Sequence, residues 1–322
     1  MKTRLLHGLG RETSVVGLGA WGLGRVSVGA TSYGEMSAAT AQTCLEASLD
    51  EGVTFIDTAP PYGDGESERR IGAFLQGRRE KVLVATKVGW NAFDEGADFS
   101  VASIEASLDA SLKRLDSDYI DLLQLYNPPA DVLEKNPHLV RCLEGLVASG
   151  KVRALGLSVK APADALPLLA HYAFSAVQTN FNMLDLRALE CGLLDYCVDN
   201  HIDVLARTPL CFGFLTLAVG ADTAFRPEDH RSSWPRSQLL QWEQDAHRAH
   251  EIVENFLSEQ EDGHSPASRA IRFCLQHPAV KTVLCGAMTP EEARENAQVG
   301  KQAPLKQGVL EKVLALYGTD II

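Results

Sequence analysis

From Ser14 onward the chain alternates, eight times, a short apolar run of strand type with a stretch of helical type. The runs are SVVGLGAW (Ser14–Trp21), TFIDTA (Thr54–Ala59), KVLVATKV (Lys81–Val88), YIDLLQLY (Tyr119–Tyr126), ALGLSV (Ala154–Val159), SAVQTNF (Ser175–Phe181), DVLARTPL and KTVLCGA. VASIEASLDASLKRL and LVRCLEGLVASG, the latter closing on Gly150, show the helical period between them. Near-continuous apolar strands that alternate with helices pair in parallel and are covered on both faces. Eight such units close on themselves, so the reading is an α/β fold, a (β/α)8 TIM barrel. Residues 1–322 are read as one barrel domain whose first fifteen residues cap the closed end. A long insertion over about 211–237 follows the seventh strand, and an extra helix covers about 305–318.

Gly17, Gly19 and Gly22 in GLGAWGLG have the G-x-G-x-x-G spacing that opens a helix onto a dinucleotide pyrophosphate in a doubly wound sheet. Here the following stretch, GLGRVSVGATSYGEM, carries four glycines and no helical period. The first acid on the second strand, Asp57, lies well beyond the roughly 20-residue spacing of a ribose-binding acid. The motif is therefore read as a loop that passes close to something bound above a strand end.

A formal net charge of −12 argues against a general nucleic-acid or anionic-membrane partner. The start MKTRLLHGLG lacks the apolar stretch of a signal peptide, and no run approaches about 18 apolar residues. Seven scattered cysteines without C-x-x-C read as reduced thiols. A cytoplasmic protein without nucleic-acid or membrane partners is expected.

In a barrel of this kind, chemistry sits at the C-terminal strand ends. That directs attention to Asp57, Lys87, Tyr126, Ser158, Gln178, Arg207 and Gly286. FIDTAPPYGDGESERRIG and VATKVG bring Asp57, Tyr62 and Lys87 to adjacent strand ends. A free phenol has a pKa of about 10 and is a poor acid or base at neutral pH. A nearby ammonium favours phenolate and lowers that value, and Asp57 is placed to hold the ammonium. The set is expected to be a tuned tyrosine acid/base; the alternative is a structural Asp57–Lys87 pair beside a loop aromatic.

The pairing of DTAPPYGDGESE with ATKVG, in register with eight strands, resembles the aldo-keto reductase superfamily across nearly the whole chain. The resemblance implies an NAD(P)H-dependent oxidoreductase that moves hydride between nicotinamide and a small carbonyl or conjugated C=C substrate. NADPH is the cofactor it favours, with NADH as an alternative, and no metal is implied. Of the family's tetrad, Asp57, Tyr62 and Lys87 match. The histidine position is held by Tyr126 in LLQLYNPP, and Asn127 beside it is expected to face away, because successive strand side chains alternate. Tyr126 is expected to shape the pocket and to hydrogen-bond the substrate oxygen.

On the cofactor side the resemblance assigns Gly19, Trp21 and Asp57 beside the nicotinamide, with Ser158 and Gln178 on its carboxamide and Val159 where the family has Asn. RTPLCFGFL supplies Thr208, Leu210, Gly213 and Leu215 around the pyrophosphate, and Arg207 stands where many members stack an aromatic on the nicotinamide. GAMTPEEAREN supplies Gly286, Met288, Thr289, Glu292, Glu295 and Asn296 as a ribose/adenine clamp. Met288 and Glu292 replace the basic residues that would pair with a 2′-phosphate, which keeps NADH open.

Trp21, Trp90 and Phe93 are expected to line an apolar pocket around the carbonyl. Arg231, Trp234 and Arg236 in the insertion read as a lid. His247 and His250, with Glu243, Glu251 and Glu254, read as a solvated helix face rather than a metal site. Two further readings stay open, the first on the substitutions at Tyr126, Val159, Met288 and Glu292 and the second on the missing histidine alone. One is a catalytically weak nucleotide-binding or regulatory protein; the other is a non-redox isomerase or lyase.

Overall fold

The computed structural model describes residues 1–27, 32–255, 264–306 and 308–317. A two-stranded antiparallel hairpin, β1 (Thr3–Leu6) and β2 (Arg11–Ser14), comes first. Eight parallel strands follow: β3 (Val16–Gly19), β4 (Phe55–Asp57), β5 (Leu83–Val88), β6 (Ile120–Tyr126), β7 (Val152–Ser158), β8 (Ala176–Asn180), β9 (Asp203–Arg207) and β10 (Val280–Cys285). They pair in chain order, and β10 returns to β3, closing the barrel. This is the (β/α)8 TIM barrel that the alternation predicts.

The two-residue period of each strand sorts its side chains. Val16, Leu18, Ile56, Val84, Leu123, Val177, Val204 and Val283 point outward into the core shared with the helices. Phe55, Leu83, Leu122, Ala154, Ala176, Leu205 and Leu284 point inward and fill the closed half of the barrel, and Leu6 of the hairpin plugs it. Two residues past Phe55, Ala85, Leu122 and Ala176, the same interior rows carry Asp57, Lys87, Gln124 and Gln178, all buried. One step of the pleat thus changes the barrel interior from hydrocarbon to a charged, hydrogen-bonded layer just below the open end.

Several boundaries differ from those expected. Ser14 belongs to β2, not to the first barrel strand, because it pairs with Thr3. The helix expected over LRALECGLLDYCVDN is two pieces, Arg187–Glu190 and Leu193–Asp199, broken at Gly192 with φ 76°. The insertion after β9 turns tightly at Cys211–Thr216 and His230–Ser233, then runs into a 19-residue helix, Arg236–Glu254. The last helix is Val309–Tyr317; residue 318, and residues 28–31 of the glycine-rich loop, lie outside the described residues. No helix among the described residues is long and apolar enough to cross a membrane.

Candidate active site

The charged layer has a defined wiring. Lys87, fully buried, donates from Nζ to Asp57 Oδ2 at 2.7 Å, to the Thr58 carbonyl at 2.9 Å and to Tyr62 Oη at 3.2 Å. Asp57 Oδ1 accepts from the amides of Gln178 at 2.7 Å and Gln124 at 3.0 Å. The register explains the meeting: Asp57 lies opposite Ala85 on β5, and Lys87 opposite Gln124 on β6. All three ammonium protons are used, so Lys87 is locked and Tyr62 is held by its hydroxyl.

Tyr62 stands on the loop after β4, where a tight approach positions it. A Cβ at Gly63 would meet the backbone nitrogen of Arg25 at 2.5 Å, and Gly63 has φ +62°. The Tyr62 ring packs with Tyr126, Ala59, Trp21, Trp90 and Phe93 in one aromatic chamber. Tyr126, on β6, packs beside Tyr62 in the same chamber. Asn127 does not face away as expected. Its backbone takes φ +47°, which breaks the strand alternation and turns Asn127 into the cavity.

Chamber and strand ends open into one cavity of about 810 Å³. Its floor includes Gly19, Asp57, Gln178, Arg207 and Gly286, the ends of β3, β4, β8, β9 and β10. A Cβ at Gly286 would find only the Gly19 carbonyl, at 3.8 Å, so the backbone there lies open to a ligand. Arg207 donates from Nη2 to the Val159 carbonyl at 3.0 Å, while its Nε is buried without a partner. Trp21 Nε1, Asn127 Oδ1 and Asn180 Oδ1, also on the lining, are buried and unpartnered. Orphaned polar atoms around one cavity mark a polar ligand.

Burial moves both phenols in one direction. It pushes Tyr62 above the ordinary tyrosine value; the Asp57 carboxylate adds to the rise, and Arg207 and the Tyr126 hydroxyl oppose it. Tyr126 is raised in the same way, chiefly by burial. This corrects the expectation that the ammonium lowers Tyr62. The loss of solvent outweighs the Arg207 charge, so Tyr62 is held in its protonated phenol form.

Comparison with known proteins decides the kinship. A family model described as the aldo/keto reductase family matches residues 15–317. The chain belongs to the aldo/keto reductase family. It is 30% identical over 294 residues to an aldo-keto reductase of Bacillus subtilis (strain 168), covering 90% of this chain and 86% of that protein. It is also 30% identical over 313 residues to an NADH-specific methylglyoxal reductase of Escherichia coli (strain K12), covering 88% of each. Among solved structures it is similar to a glycerol dehydrogenase from Gluconobacter oxydans, with TM-score 0.80, 28% identity and coverage of 99% and 97%. This aldo-keto reductase is thus an NAD(P)H-dependent oxidoreductase.

Within the reductase, the residues singled out from sequence separate into those that reach the cavity and those that do not. Gly19, Trp21, Asp57, Tyr62, Tyr126, Gln178, Arg207, Thr208, Leu210, Gly213, Gly286, Met288, Glu292, Glu295 and Asn296 line it. Lys87 acts from behind Tyr62, and Trp90 backs the chamber. Three others stand apart. Ser158 is fully buried and bonds Gln178 at 3.3 Å. Leu215 is core beneath the insertion. Thr289 caps the helix Pro290–Val299, its hydroxyl accepting from the Glu292 amide at 3.2 Å. Each has already spent its polar or apolar surface on the fold.

The expected lid residues have distinct fates. Arg231 lines the cavity, pairs with Asp229 at 2.6 Å and donates to the Phe212 carbonyl at 2.8 Å. Trp234 packs with Phe212, His230 and Trp242. Arg236 turns away to Asp222. The His247–His250 face is not the solvated one expected from the sequence: His250 is buried, bonding the Leu215 carbonyl through Nε2 at 2.9 Å and Arg269 through Nδ1. No group of three His, Cys, Asp or Glu among the described residues could hold a metal. Sequence reasoning missed Tyr33, Lys160 and Asn180 on the lining. Asn180 was within reach of it, two residues past Gln178 on the same face of β8.

Proposed function

We propose that this protein reduces the carbonyl of a small organic substrate, with Tyr62 as the proton donor. The observation that carries the reading is a buried Asp57–Lys87 pair that ends on the Tyr62 hydroxyl at 3.2 Å, at the floor of the cavity. The unpartnered donors and the open backbone at Gly286 fit a nicotinamide dinucleotide. When bound, that cofactor supplies a hydride to the carbonyl carbon. Tyr62 gives its proton to the oxygen, Lys87 fixes the phenol, and Asp57, held by two amides, fixes Lys87. Tyr126 supplies a second hydroxyl beside Tyr62 and narrows the chamber with Trp21, Trp90 and Phe93.

At the β10 end the lining side chains are Met288, Glu292, Glu295 and Asn296. Glu292 accepts from the Met288 backbone N–H at 2.7 Å, so a carboxylate already occupies that donor. A phosphate brought close to it meets like charge. We therefore read the nucleotide as NADH in preference to NADPH, a refinement of what the family resemblance alone implies. Seven free cysteines suit a reducing compartment such as the cytoplasm.

The test combines binding and turnover. Titration of tryptophan emission with NADH and NADPH should show both binding, NADH the tighter. Tyr62→Phe should lower aldehyde reduction at least about a hundredfold with cofactor affinity unchanged. Full activity in that variant removes Tyr62 from its role, and binding of neither nucleotide overturns the reading.

A further inference from the structure

Arg207 brings a cation to the floor of this site that no carboxylate among the described residues neutralises. Lys87 is cancelled by Asp57 at 2.7 Å, and Arg231 by Asp229 at 2.6 Å. Arg207 makes one hydrogen bond, to the neutral Val159 carbonyl, and has no carboxylate partner among the described residues. Its charge is felt at both Tyr62 and Tyr126, drawing each phenol toward ionisation against the effect of burial. The remaining charges on the cavity lie elsewhere. Lys160 is exposed at the rim, and Glu292 and Glu295 are at the β10 end, exposed.

The position of Arg207 gives that charge a use. It ends β9, where the arm lined by the loops after β9 and β10 joins the Tyr62 chamber. If the arm holds a dinucleotide, as the proposed function requires, the nicotinamide lies at this junction. Only there can its hydride reach a carbonyl hydrogen-bonded to Tyr62. Hydride departure carries two electrons to the carbonyl carbon, Tyr62 supplies the proton to the oxygen, and the ring is left with one positive charge. The reduced ring is neutral and the oxidised ring is a cation, so Arg207 distinguishes them.

We propose that Arg207 sets the redox preference of the site, binding the reduced cofactor more tightly than the oxidised one, so that the enzyme loads the reduced form and releases the oxidised form while the potential of the bound couple rises. The inference rests on the oxidoreductase reading above. A like charge brought to that junction, at an effective dielectric of about 20, moves a binding ratio by at least about tenfold.

The experiment measures Kd for NADH and NAD⁺ on the unaltered protein and on Arg207→Lys, Arg207→Gln and Arg207→Met, each checked for an unchanged melting transition. The ratio Kd(NAD⁺)/Kd(NADH) should fall at least about tenfold in the Gln and Met variants and hold in the Lys variant. A tenfold change in the ratio moves the potential of the bound two-electron couple by about 30 mV. An unchanged ratio in the Gln variant, which keeps a donor for the Val159 carbonyl, overturns the proposal. Equal weakening of both forms also overturns it, making Arg207 a simple anchor. Both results leave the oxidoreductase reading intact, whereas failure of the unaltered protein to bind either form removes that reading and this inference with it.

Discussion

The Asp57–Lys87 pair offers a quantitative test of how the barrel interior is built. Both residues are essentially out of water, at 3% and 0% exposure. Removing one member of a buried ion pair leaves the other charge uncompensated and costs about 3–5 kcal/mol. In Asp57→Asn the carbonyl oxygen can still accept from Gln124 and Gln178, but its amide then faces the Lys87 ammonium, donor against donor. Lys87→Met leaves the carboxylate with two amide donors and no cation. At about 2.1 cal/mol/K per residue, a chain of 322 residues loses about 1.5 °C of Tm per kcal/mol. Each single variant should therefore melt about 4–7 °C lower. The double variant removes both charges, and its loss should be well short of the sum. Calorimetry of the four proteins reads this directly. A drop below about 1.5 °C in either single variant, or strict additivity in the double, would mean that the pair behaves as a solvated surface pair and that the wiring described for Tyr62 is wrong.

Other perturbations follow from the same geometry. Because burial raises Tyr62, its phenol keeps the proton until pH rises through that elevated value; reductive kcat/KM should stay flat from pH 6 to 9, and a limb near pH 7–8 that disappears in Tyr62→Phe contradicts this. Gly63→Ala places a Cβ 2.5 Å from the Arg25 nitrogen at φ +62°; loss of at least about 1–2 kcal/mol by thermal melting, with a lower kcat from displaced Tyr62, is expected. Glu292→Lys should raise NADPH affinity relative to NADH by about tenfold or more, read in the same fluorescence titration; an unmoved ratio removes Glu292 from cofactor choice. His250 is buried, and burial lowers its pKa, so the unfolded chain takes up a proton first as pH falls through about 6.5. Stability from this group is present at neutral pH and lost in acid. The Tm decline between pH 7 and 5 should be shallower in His250→Gln, and an identical slope assigns the decline to other groups.

The strand order and the meeting of Asp57, Lys87 and Tyr62 were legible because strand periodicity and barrel topology together dictate them. Gln124 was not singled out, although it lies two residues before Tyr126 and so on the same interior face. The pattern held it; attention to strand ends alone passed over the layer beneath. Asn127 was misread for a different reason. Period-two alternation fails once the backbone turns left-handed, and nothing in NPP announces φ +47°. Thr289, Ser158 and Leu215 were placed by resemblance, which carries a residue to a position but not its hydroxyl or methyl groups to a free orientation. His250 looked exposed because its helix is rich in charge; the tight turn after β9, whose carbonyl it meets, is invisible to a helical period.

The loop after β3 meets the insertion after β9 at two points: a bridge between Tyr33 and Asp229, and bonds from His230 to the Ser32 carbonyl at 2.9 Å through its backbone nitrogen and 2.8 Å through Nδ1. Strands β3 and β9 are not neighbours; β10 runs between them. The tie therefore vaults over the end of β10, and the path past Gly286 is a passage with a roof rather than a trough. A long molecule lying there is threaded like a bolt through a hasp. Anything lying along that path is bounded on its outer side by a tie between two segments 198 residues apart in the chain.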